Sequence, residues 1–119
     1  MASDNKSRQQ PDLLSDQLGR LRQEHFLVLL WAASCEDRRV KYNITNCFDD
    51  LKSSGITRTK QTAVAVVEAM HLLCFIDIRE ERNRKNIYIT NYGASALENL
   101  VSNGTFKILN SHYLEENKE

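Results

Sequence analysis

The sequence has little of what stiffens or cross-links a small protein: its 119 residues include one proline, four glycines and three cysteines. The cysteines, at positions 35, 47 and 74, are odd in number and widely spaced. That pattern is neither a disulfide framework nor a CxxC metal site. Because a chain of this length can bury one modest core but not two, we expect a single domain.

Long hydrophobic runs are also missing. The longest dense apolar run, residues 26–33, is eight residues long, whereas a membrane-spanning helix needs roughly 20. The sequence does not open on the basic-then-apolar segment that is typical of a secretory signal. We therefore expect an intracellular, cytoplasmic protein with no membrane partner.

Neither sign of charge is in excess. Sixteen lysines and arginines balance sixteen aspartates and glutamates, so the formal net charge is zero. Residues 56–92 hold six basic residues against four acidic ones, a local excess of two. Many dedicated DNA-binding domains are clearly basic, so this excess is weak support for a nucleic-acid partner.

Motifs for catalysis are absent from the sequence. It has no glycine-rich phosphate loop and no HExxH spacing, and its three histidines fall on separate predicted helices. We therefore expect a protein that is not an enzyme and has no cofactor or metal. Cys47 and Cys74 fall on predicted apolar faces, where packing is expected. Two alternatives stay open: a metal ion shared between two copies of the chain, and a reactive thiol at Cys35 in a charged loop.

What the sequence does contain is clear hydrophobic periodicity. From Leu14 onward the apolar spacing alternates between four and three residues, which predicts a helix. Asn43 or Thr45 can cap the second helix, and Thr57 or Thr59 can cap the third. The predicted inward face of the third helix is Ala63, Val66, Val67, Met70 and Leu73 or Cys74. The predicted elements are, in order, a helix at 14–34, a short strand at 40–42, a helix from 44 to a stop at 53–55, a helix at 57–73, strands at 75–79 and 87–90 around a polar tip at 80–86, and helices at 94–101 and 105–114.

Two segments resemble a known architecture. DDLKSSGITRTKQTAVAVVEAMHLLCFIDI, residues 49–78, resembles the helix, turn, recognition helix and first wing strand of the MarR, PadR and ArsR-type regulators. NIYITNYGASALENL, residues 86–100, resembles the strand, Leu-Thr-x-x-Gly and helix that close the wing in those families. The resemblance covers residues 26–100 and implies a winged helix-turn-helix, a mainly α fold with a small β-hairpin wing. Cys74 departs from the glycine that is usual at that position, and the turn at 53–59 is about two residues longer than usual if the helix starts at Thr59.

The resemblance divides the chain and implies a DNA-binding surface. Residues 1–12 are expected to be a disordered tail, residues 13–101 a winged-helix domain and residues 102–119 a C-terminal helix. Helix 57–73 would lie in the major groove and the 80–86 wing along the backbone or minor groove. Glu80 and Glu81 could instead pair with the wing arginines. The candidate DNA-binding residues are Arg58, Lys60, Gln61, Thr62, Ala65, Arg82, Arg84 and Lys85.

The expected function is that of a dimeric transcriptional regulator, or of a plasmid- or chromosome-associated factor, whose partners are double-stranded DNA and a second copy of the chain. One unit buries little area on DNA, so dimerisation is expected to add affinity. The candidate interface residues could equally close the core of the monomer. They are Leu14, Leu18, Leu21, His25, Phe106, Leu109 and Tyr113. The alternative function is a winged helix that serves as a protein–protein interaction module in a larger assembly.

Overall fold

The computed structural model describes residues 14–116. The predicted tail at 1–12 lies outside this range. Residues 14–18 are helical. They are followed by α1 (Gln23–Asp37), α2 (Ile44–Ser53), α3 (Lys60–Leu72), β1 (Ile76–Glu81), β2 (Arg84–Ile89), α4 (Asn91–Asn103) and α5 (His112–Glu116). Among these helices, none is long and apolar enough to cross a membrane.

Side-chain caps fix where α2 and α3 begin. The Asn43 side chain accepts a hydrogen bond from the Asn46 backbone N–H at 2.8 Å, and the Asn46 side chain accepts one from the Asn43 N–H at 3.1 Å. The Thr59 hydroxyl accepts from the Thr62 N–H at 3.2 Å. These contacts satisfy backbone donors that the first turn of a helix leaves unpaired. The prediction of a capped helix, turn and capped helix is confirmed.

The wing is a tight hairpin. Its strands pair antiparallel from Ile76 opposite Ile89 to Glu81 opposite Arg84. Arg82 and Asn83 alone form the turn, with φ angles of 52° and 66°, as a two-residue type I′ turn requires. The predicted seven-residue polar tip at 80–86 is therefore wrong. Its charged residues mostly continue the strands, because side chains on an exposed hairpin can be polar without breaking the backbone ladder.

The segment before α2 meets the wing without forming the strand predicted at 40–42. The Ile87 N–H donates to the Tyr42 carbonyl at 2.7 Å, and a single bridge joins Asn43 to Asn86. These contacts attach the second wing strand to the start of α2.

The first helix is not continuous, and the prediction of one helix at 14–34 is wrong. The helical residues 14–18 end in a turn at Gly19 and Arg20, and α1 begins at Gln23. Glycine has a low helix propensity. The Arg22 N–H then donates to Nδ1 of His25 at 2.9 Å, across the first turn of α1. Burial lowers the pKa of His25, which favours the neutral ring that can accept this bond.

The open alternative for Cys35 and the predicted role of Cys74 are both wrong. Helix α1 continues to Asp37, so Cys35 is a buried helical residue and not part of a charged loop. Burial raises the pKa of Cys35 to about 12. The thiol therefore stays protonated at neutral pH, whereas a reactive cysteine needs the thiolate. Cys47 is buried as predicted, whereas Cys74 is exposed. With a φ of 69°, Cys74 adopts the left-handed conformation that glycine usually supplies between recognition helix and wing.

The core is built around α1, which is apolar on most of its circumference. Helix α3 contributes Ala63, Val67 and Met70 to it. Val66 is half-buried, whereas Leu73 and Cys74 are exposed, so the predicted inward face ends one turn earlier than expected. The buried residues of α1 are Phe26, Leu27, Val28, Leu29, Trp31, Ala32 and Cys35.

Residues 105–111 form a non-helical strap that lies along α1. The prediction of a helix at 105–114 is therefore wrong. Helix α4 runs to Asn103, residues 105–111 are not helical, and only α5 is helical beyond them. The Gln23 side chain exchanges two hydrogen bonds with the Lys107 backbone, at 2.7 and 3.0 Å. The Trp31 indole N–H donates to the Leu109 carbonyl at 2.9 Å. These bonds use backbone groups that a helix would have paired internally.

A buried carboxylate fastens the end of the strap to α2. Asp50 is fully buried. Its Oδ2 accepts from the Tyr42 hydroxyl at 2.6 Å and from the Ser111 hydroxyl at 2.5 Å, and its Oδ1 accepts from the Tyr113 N–H at 2.9 Å. Three donors thus satisfy a group that would be costly to bury alone.

Thr90 and Gly93 join the wing to α4. The Thr90 hydroxyl accepts from the Gly93 N–H at 2.9 Å and donates to the Cys74 carbonyl at 2.6 Å. A Cβ atom on Gly93 would lie 1.9 Å from the Phe75 carbonyl oxygen. The threonine and the glycine of the resembling motif therefore have separate tasks, one as a cap and the other as a point of close backbone approach.

Candidate nucleic-acid interface

The beginning of α3 presents a polar, exposed surface. Arg58, Lys60, Gln61, Thr62 and Ala65 are all exposed. Their orientation follows from the opposite face of the helix, which packs its buried residues into the core. The structure therefore places this predicted group on one accessible surface, and its role in binding stays a prediction.

The tip of the wing is cationic. Arg82, Arg84 and Lys85 are exposed and form no ion pair with any residue in 14–116. The alternative in which Glu80 or Glu81 neutralises the arginines is wrong: Glu81 pairs with Lys41, at 3.3 Å, instead. The wing cations thus remain available to an external anion.

A cleft of about 630 Å³ joins the wing tip to α3 and to the N-terminus of α2. Its charged side chains are Lys60, Arg84 and Lys85 against the single carboxylate of Glu68. The N-terminus of α2 also favours anions through its helix dipole, although the Asn43 side chain already accepts from the Asn46 N–H there. The lining residues are Asn43, Ile44, Thr45, Asn46, Lys60, Val64, Glu68, Asn83, Arg84 and Lys85.

The cleft gathers some of the predicted binding residues and leaves others outside its lining. Lys60, Arg84 and Lys85 come together there although 25 positions separate the first from the last. The remaining candidates between residues 58 and 65 are exposed and are not part of the cleft lining. Arg82 faces a second cleft of about 590 Å³ on the side of Lys41 and Tyr113.

Residues at the start of α2 were missed by sequence reasoning. Asn43, Thr45 and Asn46 line the main cleft, but the sequence pattern identifies them only as candidates for capping or as part of a helix. Their nearness to Lys60 and Arg84 depends on how the wing packs against α2, which no local spacing encodes.

The predicted dimer interface is partly used within the monomer. Leu21 is 7% exposed and belongs to the core, and His25 caps α1. The Phe106 ring centroid lies 5.6 Å from that of Phe26, and the Tyr113 centroid lies 5.8 Å from that of Tyr42. Leu109 is half-buried.

An open groove nevertheless remains beside the outer segments. It measures about 610 Å³, and its apolar lining is Leu14, Leu18, Leu21, Leu100 and Phe106. Leu14 and Leu18 are half-buried, so part of their surface stays accessible.

Solved structures of other proteins share the fold of this chain. No family model and no curated protein sequence matches the chain. The solved structure of AF1382 from Archaeoglobus fulgidus aligns with a TM-score of 0.56 at 11% identity, over 70% of this chain and 86% of that one. BpsR of Bordetella bronchiseptica, whose DNA binding is regulated by 6-hydroxynicotinic acid, aligns with a TM-score of 0.54 at 15% identity, over 82% of this chain and 67% of that one.

At these identities the likeness shows a shared fold. Together with the order of two capped helices, a hairpin and a closing helix, it identifies the chain as a winged helix-turn-helix. The prediction of a mainly α fold with a β-hairpin wing is confirmed. Assignment among the MarR, PadR and ArsR-type regulators stays a prediction.

Proposed function

We propose that this chain binds double-stranded DNA through α3 and the wing, as a transcriptional regulator or a plasmid- or chromosome-associated factor. The observation that carries the proposal is the cleft in which Lys60 on α3 meets Arg84 and Lys85 on the wing. These cations come from separate elements and converge on one face of a protein whose net charge is zero. The DNA binding of BpsR, which shares the fold, supports the same reading.

The two elements would have different tasks on DNA. Helix α3 would enter the major groove, where the Arg58 guanidinium can make two bonds to guanine and the Gln61 amide can pair with adenine. Thr62 and Ala65 can contact a thymine methyl group. A good bidentate contact contributes about 1–3 kcal/mol of discrimination between bases. The wing cations would contact phosphates, which gives affinity and register but reads no sequence directly.

The salt dependence of binding tests this proposal. If the four cations Lys60, Arg82, Arg84 and Lys85 contact phosphates, log K for random duplex DNA should fall against log salt with a slope of about −3 to −4 per chain. Fluorescence anisotropy between 50 and 200 mM salt measures it. Lys60→Ala should weaken binding and reduce the magnitude of the slope by about 1.

Lys107→Ala is the matched control, because it removes an exposed lysine from the strap along α1 rather than from the cleft. It should leave the slope unchanged. Absence of binding to random duplex at 50 mM salt contradicts the proposed function.

A protein-binding winged helix is the second candidate function. It is favoured by the neutral net charge and by exposed apolar side chains at the end of α3, where Leu72 is 83% and Leu73 is 43% exposed. Exposed apolar side chains that lie together are a feature of protein–protein contact sites. A chain without affinity for DNA at low salt would favour this function.

We further propose that the DNA-binding species is a homodimer joined through the groove that Leu14, Leu18 and Phe106 line. Wild-type protein should sediment at twice the 13.7 kDa mass of one chain, and Leu18→Asp should shift it to the monomer because a charge would be buried in an apolar contact. Leu72→Asp changes an exposed leucine outside the groove and should leave the dimer intact. A monomeric wild type contradicts the proposal.

A further inference from the structure

Glu81, the last residue of β1, lies at the centre of a polar cluster on the wing. Its Oε1 accepts hydrogen bonds from the Tyr88 hydroxyl at 2.6 Å, from Nδ2 of Asn86 at 2.6 Å and from Nζ of Lys41 at 3.3 Å. Tyr88 and Asn86 belong to the opposite strand, whereas Lys41 belongs to the segment before α2. One carboxylate oxygen therefore joins both wing strands to the body of the domain.

Further contacts extend this cluster. Nζ of Lys41 also donates to the Tyr88 hydroxyl at 2.8 Å. The guanidinium of Arg79 lies over the Tyr88 ring, 4.3 Å from its centroid, a favourable cation–π geometry. Hydrogen bonds from Tyr88, Asn86 and Lys41 lower the pKa of Glu81 to about 2, so the carboxylate is ionised at neutral pH.

The wing depends on such contacts for its position. A two-stranded hairpin is marginally stable by itself in water. Near its tip, the bridge of Asn43 to Asn86 and the Lys41 contacts connect the hairpin to the segment before α2. Arg84 and Lys85 of this hairpin line the cleft together with Lys60 of α3.

We propose that Glu81 is a positioning residue for DNA binding: its carboxylate holds the wing against the segment before α2, so that the wing-tip cations and α3 engage one duplex together. This inference rests on the proposed function. It also makes an acidic residue favourable to the binding of a polyanion, which is the opposite of what its charge alone predicts.

Glu80 supplies the matched control. It neighbours Glu81 on the same strand and is exposed. Its carboxylate makes no hydrogen bond or ion pair with the described part of the chain, residues 14–116. Glu80→Ala and Glu81→Ala therefore each remove one negative charge close to the wing tip, and only the second disrupts the cluster.

The two variants should change DNA affinity in opposite directions. Glu80→Ala should tighten binding of random duplex roughly threefold, because a surface repulsion is removed. Glu81→Ala should weaken binding roughly tenfold, the size expected for the loss of a hydrogen-bonded charge that orders the wing. Glu81→Gln retains an acceptor for Tyr88 and should lie between Glu81→Ala and the wild type. Anisotropy titrations at one salt concentration compare all four proteins, after circular dichroism shows equal folding.

A second measurement needs no DNA. Heteronuclear 15N NOE values for residues 82–85 should fall in Glu81→Ala and not in Glu80→Ala, because only the former frees the wing on the ps–ns timescale. If Glu81→Ala binds DNA as tightly as Glu80→Ala, or if its NOE values equal those of the wild type, the inference is overturned. If the wild type fails to bind DNA, the proposed function fails separately, and the NOE comparison still decides whether Glu81 orders the wing.

Discussion

Simultaneous replacement of Arg82, Arg84 and Lys85 with alanine is expected to weaken binding of random duplex DNA about 100-fold at 50 mM salt. Each phosphate contact that is lost should cost roughly 1 kcal/mol, and each 1.4 kcal/mol corresponds to a factor of ten in affinity. The slope of log K against log salt should also become shallower by about 3, close to 0.9 for each phosphate no longer neutralised. Both values can be read from one series of anisotropy titrations.

This effect should be large because, among residues 14–116, no carboxylate forms an ion pair with Arg82, Arg84 or Lys85. Their charged groups can therefore contact phosphates without first breaking such a pair. They also stand at the two-residue turn and the strand beyond it, where alanine can replace them without touching the core. The loss should therefore appear in affinity while the melting temperature stays near that of the wild type.

A triple variant of equal charge controls for net charge alone. Arg20, Arg38 and Lys107 are exposed and lie before α1, after α1 and on the strap, outside the cleft between wing and α3. Their replacement with alanine should weaken binding by less than about tenfold, against about 100-fold for the wing variant. Equal losses in the two triple variants would show that the chain attracts DNA through its overall charge and not through the wing.

The order of α2, α3, the hairpin and α4 could be predicted from the sequence because each of these elements depends on local patterns. The side chains of Asn43 and Thr59 mark helix starts because each can accept a hydrogen bond from the backbone N–H three residues later. Alternation around Ile76 and Ile87 marks strands whose one face is buried. The Thr90 and Gly93 motif predicts the closing helix. In the structure Thr90 caps this helix, and Gly93 leaves room for the Phe75 carbonyl.

The C-terminal segment could not be predicted because distant side chains determine it. Phe106, Leu109 and Tyr113 have spacings that fit a helix, and propensity alone favours one. Gln23 and Trp31, more than 75 positions earlier in the sequence, bind the backbone of this segment and hold it extended. Tertiary hydrogen bonds of this kind override a weak local preference.

The candidate site was predictable in charge but not in geometry. Their closeness in the sequence identifies Arg82, Arg84 and Lys85 as a basic cluster. The register of the strands, which the turn at residues 82 and 83 fixes, decides where the cluster stands. The link from Glu81 to Lys41 spans 40 positions and leaves no periodic signal. The cations can therefore be identified from the sequence, whereas the contact that Lys41 makes with Glu81 of the same hairpin cannot.

Gly93→Ala is expected to destabilise the protein by about 2 kcal/mol. Within a helix, alanine is normally more stable than glycine by about 1 kcal/mol, and Gly93 lies in the first turn of α4 with a φ outside the left-handed region. Here the added Cβ would lie 1.9 Å from the Phe75 carbonyl oxygen and 2.9 Å from its carbon. A contact with backbone cannot be relieved by a change of rotamer, so α4 must move away from the wing. Overpacking of this kind costs about 1–3 kcal/mol and occasionally more, which outweighs the gain in propensity.

Gly55→Ala separates this steric effect from backbone strain. Gly55 has a φ of 77°, and a Cβ atom there would meet nothing within 4 Å, so only the left-handed conformation is penalised, by about 1 kcal/mol. Urea unfolding followed by circular dichroism should rank the wild type first, Gly55→Ala second and Gly93→Ala last. The melting temperature of Gly93→Ala should fall by roughly 10 °C. A Gly93→Ala protein as stable as Gly55→Ala would mean that α4 can move off the Phe75 carbonyl at little cost, and that the wing and α4 are less tightly joined than the Thr90 and Gly93 contacts indicate.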